Sequence, residues 1–258
     1  RAGELFAQLL ATALGVRTAG LRVVGPHQDE IVSIRGGLQS ASAEEDAGIK
    51  RIFVAYFDSI AVMEYVDGMP MMGMPAHEQL SAARGESPLW TQLGRLMAFD
   101  MLINNFDRLP LVWSNEGNFG NVMLGSRLGP VIGIDQSVNL INHPAGLTAY
   151  LQRVRKAYEG ARDGQASTFA TVKTAIRDNT GIDLDDVEIR RLCEGCVDLF
   201  SEVLRLAKSE DLERTLAAIS LKVDRSFTAP DAGAKAAQYC GFVREVVAAV
   251  GVTHESNS

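Results

Sequence analysis

The region that most constrains the fold of this chain is one where a helical pattern leads through a polar loop into two short strands. Residues 88–104 carry apolar side chains at helical spacing, and two β-prone runs follow at 122–124 and 131–134. The residues between these runs read G-S-R-L-G-P, a composition that is typical of a turn. This order predicts a helix, a loop and a β-hairpin within one short segment.

Three polar residues lie where these elements meet. Asp107 is in the loop, Asn121 precedes the first strand and Asp135 follows the second. Taken singly, each fits an ordinary helix-end, turn or strand-end role. Taken together and in this order, they fit phosphoryl transfer. In that chemistry one carboxylate orients the attacking hydroxyl, while an Asn and a second Asp hold the metal that bridges the phosphates.

The part of the chain before residue 68 is predicted to be mixed. Apolar spacing predicts a helix over 2–14 and strands over 21–24, 31–34 and 57–66, the last of which should be buried. A further helix should start near Ser42.

The part after residue 68 is predicted to be mostly helical. The residues 69–75 are rich in Met, Pro and Gly and should form a loop, and Pro230 should break the chain between the last two helices. Beyond the hairpin, helical spacing predicts helices over 147–159, 167–177, 187–206, 211–221 and 232–249.

Composition excludes several classes of function. With 47% hydrophobic and 22% charged residues, the 258-residue chain can bury a sizeable core and is not expected to be disordered. A net charge of −7 leaves no basic surface of the kind that nucleic-acid binding needs. The sequence contains no uninterrupted run of about 18 apolar residues, so no membrane-spanning helix is predicted. Three cysteines, an odd number, argue against a disulfide framework and predict a reducing, cytoplasmic setting.

The segment I-N-N-F-D-R-L-P-L-V-W-S-N-E-G-N-F-G-N-V-M, followed by I-D-Q-S, resembles the catalytic domain of the actin-fragmin kinase family. This family belongs to the protein-kinase-like superfamily and is related to phosphatidylinositol-kinase-type folds. Asn121 lies 14 positions after Asp107, a longer interval than in ordinary protein kinases, and the insertion L-P-L-V-W-S-N-E-G fits the divergent family. The resemblance implies an α+β, protein-kinase-like two-lobe fold. A truncated N-lobe with the hinge would cover 1–68, and a mostly helical C-lobe would cover 69–258.

The resemblance also implies an ATP- and Mg²⁺-dependent kinase that phosphorylates a Ser or Thr hydroxyl of a protein. Asp107 would orient the substrate hydroxyl or accept its proton, and Asn121 and Asp135 would hold Mg²⁺. Arg108 would steady the loop or a phosphate, with a purely structural role as the alternative. Asn118 is an alternative metal ligand, because G-N-F-G-N offers two Asn residues.

Nucleotide contacts are implied by the resemblance at two further places. Glu4 would pair with a lysine that contacts the phosphates, with an exposed helix-start residue as the alternative. Backbone groups of Glu64 and Val66 would pair with adenine at the hinge. The chain begins with Arg1 inside a helical pattern, so we expect a fragment whose Gly-rich loop and lysine lie upstream. Lys50 does not match the position of that lysine.

The family implies a protein substrate, namely actin or an actin-capping complex. Two rival functions are a catalytically inactive kinase-like protein-interaction module and a kinase for lipid or small-molecule hydroxyls. The negative net charge argues against a lipid substrate.

Two other patterns favour ordinary packing. Cys193 and Cys196 form a C-x-x-C pair within a helical pattern, which indicates two small semi-buried thiols rather than a redox or zinc site. Four methionines between 69 and 74 predict packing, with a contact surface for a protein substrate as the sharper alternative.

Overall fold

The computed structural model describes residues 2–25, 29–41, 60–82, 84, 88–113, 115–126, 129–227 and 231–255. In chain order the elements are α1 (Ala2–Ala13), β1 (Leu21–Val24), α2 (Asp29–Ala41), β2 (Ile60–Met63), β3 (Gly68–Pro70), α3 (Gly73–Ala82), α4 (Pro88–Ile103), β4 (Val122–Gly125), β5 (Val131–Gly133), α5 (Pro144–Arg162), α6 (Ala170–Thr180), α7 (Asp186–Lys208), α8 (Asp211–Ser226) and α9 (Ala232–Glu255). Helices joined to small antiparallel sheets confirm the predicted α+β class.

Most of the predicted helices are confirmed, including those over 2–14 and 88–104 and all five beyond the hairpin. Their local signals are strong. For example, α7 begins with a capping box in which the Asp185 carboxylate accepts from the Glu188 N–H, and the Glu188 carboxylate accepts from the Asp185 N–H. The helix expected near Ser42 and the break at Pro230 lie outside the described residues.

The strand predicted over 31–34 is wrong, because these residues belong to α2. Among the residues that the structure describes, no strand pairs with this apolar run, and only one of its faces is covered. Ile31 is buried, whereas Val32 is 69% exposed, a difference that a helix with one packed face produces. Asp29 and Glu30 in the first turn also favour a helix start, since their charges interact well with the N-terminal end of the helix dipole.

Two other predictions between 57 and 75 need correction. Strand β2 is shorter than predicted and lies in a two-stranded sheet, so it is half-buried to exposed rather than buried; residues 57–59 are outside the described part. The loop expected over 69–75 instead contains β3 and the start of α3. Met71 is buried, whereas Met72 and Met74 are exposed, so this methionine group both packs and faces solvent.

Two antiparallel sheets lie on either side of the chain segment 64–67. In the first, β1 pairs with β2 so that Leu21 is opposite Met63. In the second, β4 is the central strand between β3 and β5, with Val122 opposite Gly133. The predicted hairpin at 122–134 is therefore confirmed, and β3 joins it from a distant part of the sequence.

The core is built around α4, which lies against α7. Their backbones approach closely at two glycines. A Cβ atom on Gly195 would lie 2.0 Å from the Thr91 carbonyl oxygen, and one on Gly94 would lie 2.2 Å from the Leu192 carbonyl oxygen. Leu89, Leu93, Leu96, Met97 and Met101 are all buried, as predicted for this face. Larger residues at the two glycines would therefore force the helices apart.

Helix α1 packs against α8 and α9, and the Phe6 and Tyr239 rings are 5.4 Å apart. It therefore shares a core with helices that the predicted division assigns to the other lobe, and the division at residue 68 stays a prediction. Cys193 and Cys196 are free and buried in α7, where burial raises the pKa of both thiols. In the described part of the chain, no helix has the length and apolar character to cross a membrane.

Candidate active site

The loop after α4 places Asp107 beside the turn that precedes β4. Helix α4 ends where Asn104 adopts a left-handed backbone conformation, with a φ angle of 54°. Asp107 is half-buried in the following loop. The backbone N–H of Asn118 donates to the carbonyl oxygen of Arg108 at 3.0 Å. A backbone hydrogen bond thus links Arg108, the residue after Asp107, to the G-N-F-G-N segment.

Asn121 and Asp135 lie at the same end of the β4–β5 pair. Asn121 is buried at the end of a short 3-10 helix, Phe119–Asn121, directly before β4. The N–H of Ile134 donates to the carbonyl oxygen of Asn121 at 3.0 Å. Asp135 is the next residue. The structure therefore brings together the segments that carry the three predicted residues.

The backbone of Asp135 has a φ angle of 57°, in the left-handed region that residues other than glycine rarely adopt. The residue is exposed. Such conformations cost free energy and are found at sites where the surrounding structure fixes a side chain for a task. The observed conformation therefore supports a functional role for Asp135.

The chemistry of this pair fits a magnesium ion. Mg²⁺ prefers oxygen ligands, and Asp135 offers an exposed carboxylate one residue after the backbone bond to Asn121. The buried Nδ2 of Asn121 has no hydrogen-bond partner, but it is a donor, so the side-chain oxygen Oδ1 is the atom that would coordinate the ion. Asn118, the alternative ligand, instead uses its Oδ1 to accept from the Gly120 N–H at 3.1 Å. The Oδ1 of Asn118 is thus already used as a cap acceptor, and Asn121 stays the predicted ligand.

The described residues contain no group of three or more His, Cys, Asp or Glu side chains that could hold a metal ion. A site formed by Asn121 and Asp135 would need further oxygen atoms. Magnesium is commonly bound in this way, through one or two protein side chains together with substrate phosphates and water.

Arg108 is fully buried and holds two parts of the site together. Its Nη1 pairs with the Asp100 carboxylate on α4, and its Nη2 donates to the Ile134 carbonyl oxygen at 2.9 Å. A Cβ atom on Gly133 would lie 3.2 Å from the guanidinium carbon, so the strand approaches the arginine closely. These contacts favour the structural alternative for Arg108 over contact with a phosphate.

Asp100 was missed by sequence reasoning. It is buried, and its Oδ1 also accepts from Asn105 Nδ2 at 3.0 Å. Burial raises the pKa of Asp100 to about 6, and the nearby Arg108 charge opposes this rise. The sequence did contain a sign of this buried acid, because Asp100 is the one acidic residue in a predicted helix of mostly apolar residues. A buried carboxylate needs a cation, and Arg108 is the residue that supplies it.

The start of α1 lies beside the segment that follows Asp135. The N–H of Val138 makes a long hydrogen bond of 3.5 Å to the Gly3 carbonyl oxygen. Glu4 is the next residue and is half-buried in the first turn of α1. The predicted phosphate-side glutamate is thus brought to the same side of the molecule as Asp135.

Glu64 and Val66 lie in the connection between the two sheets. The Glu64 carboxylate accepts from the Gly20 N–H at 2.8 Å and from Arg17 Nη2 at 2.6 Å, and both contacts lower its pKa. The Glu64 N–H donates to the Gly20 carbonyl oxygen. The side chain of Glu64 therefore anchors this connection to the residues before β1, and only its backbone carbonyl is left for a hinge-like contact.

Comparison with known proteins identifies the family of this chain. The family model described as "Actin-fragmin kinase, catalytic" matches residues 2–145, which include every predicted site residue. A Dictyostelium discoideum protein named "Putative actin-fragmin kinase" is 28% identical over 166 residues. That similarity covers 59% of this chain but 39% of the relative, so the chain spans well under half of the relative's length. By the extent of the family match, the chain belongs to the actin-fragmin kinase catalytic-domain family.

Proposed function

We propose that this chain is the catalytic part of an ATP- and Mg²⁺-dependent kinase that phosphorylates Ser or Thr hydroxyls of a protein. The observation that carries the proposal is the pair of backbone hydrogen bonds, Asn118 to Arg108 and Ile134 to Asn121, that joins three separate polar segments. Family membership supports the same reaction class.

The proposed arrangement has two lobes, with the connection 64–67 as the hinge. ATP would lie between the two sheets, with the backbone of Glu64 and Val66 beside adenine. Glu4 would act on the phosphate side, through the lysine expected upstream. The anchoring of Glu64 by Arg17 and Gly20 supports a fixed hinge, because a hinge that positions adenine must hold its backbone in place.

Asp107 would carry out the proton chemistry. It would orient the substrate hydroxyl and take its proton as the oxygen attacks the terminal phosphorus and the bond to ADP breaks. Asn121 and Asp135 would hold Mg²⁺, which when bound supplies positive charge against the phosphate oxygens. Arg108 would keep the loop and Ile134 in register through its buried contacts.

The substrate is proposed from the family rather than from the residues. The matching family and the relative are both named for actin-fragmin kinase, so actin or an actin-capping complex is the proposed protein substrate. Three free, buried cysteines are compatible with the proposed reducing, cytoplasmic setting.

Calorimetric titration of MgATP into the chain and its Asp135→Ala variant tests the proposal. We expect the variant to bind at least about tenfold more weakly, since a contact to a charged group contributes roughly 1.5–3 kcal/mol. Asp186→Ala, which removes an exposed carboxylate on α7, is the matched control and should bind like the parent. Equal binding by the parent and Asp135→Ala would reject Asp135 as part of the MgATP site. No binding by either would rule out a self-sufficient kinase in this chain and leave two alternatives, an inactive interaction module and a site completed by upstream residues.

A further inference from the structure

A groove with a volume of about 720 Å³ opens beside the candidate active site. This volume is within the range of about 300–1,000 Å³ that is usual for ligand-binding clefts. The groove is lined by Asn104, Phe106, Trp113, Asn115, Val138, Asn139, Leu140, Ile141 and Tyr239.

Two residues that line the groove are close in sequence to predicted site residues. Phe106, on one wall, is the residue before Asp107, and Val138, on another wall, is three residues after Asp135. A molecule lying in the groove would therefore contact the same loop and strand-end segments that carry Asp107 and Asp135. This inference rests on the proposed kinase function.

The lining of the groove disfavours charged side chains of a bound molecule. The residues that line the groove are apolar, aromatic or amide-bearing, and none is ionisable at neutral pH. The Arg153 guanidinium lies 5.2 Å from the centre of the Trp113 ring, but none of the lining side chains carries a charge, so a charged side chain packed against them would lose hydration. Phe106 is 48% exposed and so offers an apolar surface to a partner.

One wall of the groove is rigid. Trp113 stacks on the Tyr150 ring at 5.8 Å, and its Nε1 donates to Asn104 Oδ1 at 2.8 Å. Asn104 Nδ2 in turn donates to the Asn139 carbonyl oxygen at 2.7 Å. A preformed wall lowers the ordering cost of binding.

Asn115 supplies an unused hydrogen-bond acceptor in the groove. Its Nδ2 donates to the Phe106 carbonyl oxygen, which fixes the amide, while its buried Oδ1 has no partner. Buried acceptors are nearly always paired in folded proteins. A backbone N–H from a bound polypeptide would pair this oxygen atom.

We propose that the groove binds an uncharged, extended segment of the protein substrate and places an apolar side chain beside the accepting hydroxyl. Apolar walls and one unpaired acceptor fit such a segment, because it offers both apolar side chains and backbone N–H groups. The site would thus choose among Ser and Thr residues by what flanks them.

Binding of fluorescein-labelled peptides, measured by fluorescence polarisation, tests this assignment without requiring catalysis. Each peptide has a central Thr flanked by Ala, with one flanking position changed to Leu, Glu or Lys. We expect the Leu peptide of at least one position to bind about tenfold or more tightly than its Glu and Lys counterparts. Equal binding of all peptides, or no binding, would overturn the proposal.

A variant that adds a positive charge to the groove tests whether the groove causes the peptide preference. Ile141→Lys should weaken binding of the Leu peptide about tenfold and make the Glu peptide the preferred one. Leu221→Lys, at an exposed position of α8 that is 49% accessible, is the matched control and should keep the parent preference. Phe106→Ala tests the groove with a smaller disturbance and should weaken the Leu peptide about fivefold.

The two proposals fail in different ways. A preference that is unchanged by Ile141→Lys would overturn the groove assignment, even if MgATP binds normally. A peptide preference that shifts as expected, together with MgATP binding that is equal in the parent and Asp135→Ala, would support peptide binding in the groove and reject the proposed magnesium site.

Discussion

Two regions meet at α4 and are stabilised by different interactions. One is the contact between α4 and α7, and the other is the segment 104–139 that follows α4. The helix pair depends on apolar packing and on two glycines that bring the backbones together. The loop segment depends on backbone hydrogen bonds, one buried ion pair and an Asp in a left-handed conformation, and it leaves the Asn121 Nδ2 and Asn115 Oδ1 atoms unpaired. Unpaired buried polar atoms occur in both regions, because Trp90 Nε1 on α4 also has no partner, but in the second region the Asn121 and Asn115 atoms lie on amides that are proposed to contact a ligand.

The largest loss of stability should come from adding a side-chain atom where the α4 and α7 backbones touch. Gly195→Ala places a methyl group 2.0 Å from the Thr91 carbonyl oxygen, which neither backbone can accommodate without moving. We expect the free energy of unfolding to fall by about 3 kcal/mol or more, measured by urea denaturation.

Gly241→Ala is the matched control, since a Cβ atom there meets nothing within 4 Å. Because alanine favours helix more than glycine does, this variant should be more stable by about 0.5–1 kcal/mol. Similar losses in both variants would show that the close helix contact is not what makes Gly195→Ala destabilising.

The next effect should come from the buried ion pair in the loop region. Arg108→Met leaves the buried Asp100 carboxylate without its cation, and we expect a loss of about 3 kcal/mol at pH 7. Arg244→Met removes the exposed pair with Glu213 and should cost less than about 1 kcal/mol. Equal losses in the two variants would contradict the special role of the buried pair.

The loss in Arg108→Met should depend on pH. The pKa of Asp100 is raised in the folded protein from 3.8 to about 6, so the stability that this group contributes is complete below about pH 4 and falls as the pH rises through 6. Removing Arg108 raises the pKa of Asp100 further, so the variant loses stability over a wider pH range than the parent does. Denaturation at pH 5 and pH 7 should therefore show the smaller loss at pH 5.

The smallest effect on stability should come from Asp135, where the effect on function should be large. Asp135→Gly relieves the left-handed backbone but gains freedom in the unfolded chain, so we expect stability to change by no more than about 0.5 kcal/mol. MgATP binding, measured by calorimetry, should be lost. Normal binding by this variant would show that the conformation serves the fold rather than the nucleotide.

Local signals in the sequence were sufficient for much of the fold. Helical spacing identified α1, α4 and the helices beyond the hairpin, and the G-S-R-L-G-P turn identified the β4–β5 pair. Each of these elements is stabilised by its own periodic face, which is visible within one window of sequence.

Weaker segments were not readable from composition. Residues 68–70 form a strand because β4 lies beside them, whereas residues 31–34 have strand-like composition but belong to α2, whose first turn carries Asp29 and Glu30. Such short segments have no strong preference of their own, so tertiary contacts override their propensity.

For the candidate site, the sequence by itself determined the order and type of the polar residues, because Asp107, Asn121 and Asp135 follow elements with clear local patterns. The tertiary structure decided what holds them together. The pairing of Asp100 with Arg108, the bond from Arg108 to Ile134 and the groove beside Phe106 all join residues on different elements. No local pattern encodes such contacts, because burial and charge pairing depend on which surfaces meet when the chain folds.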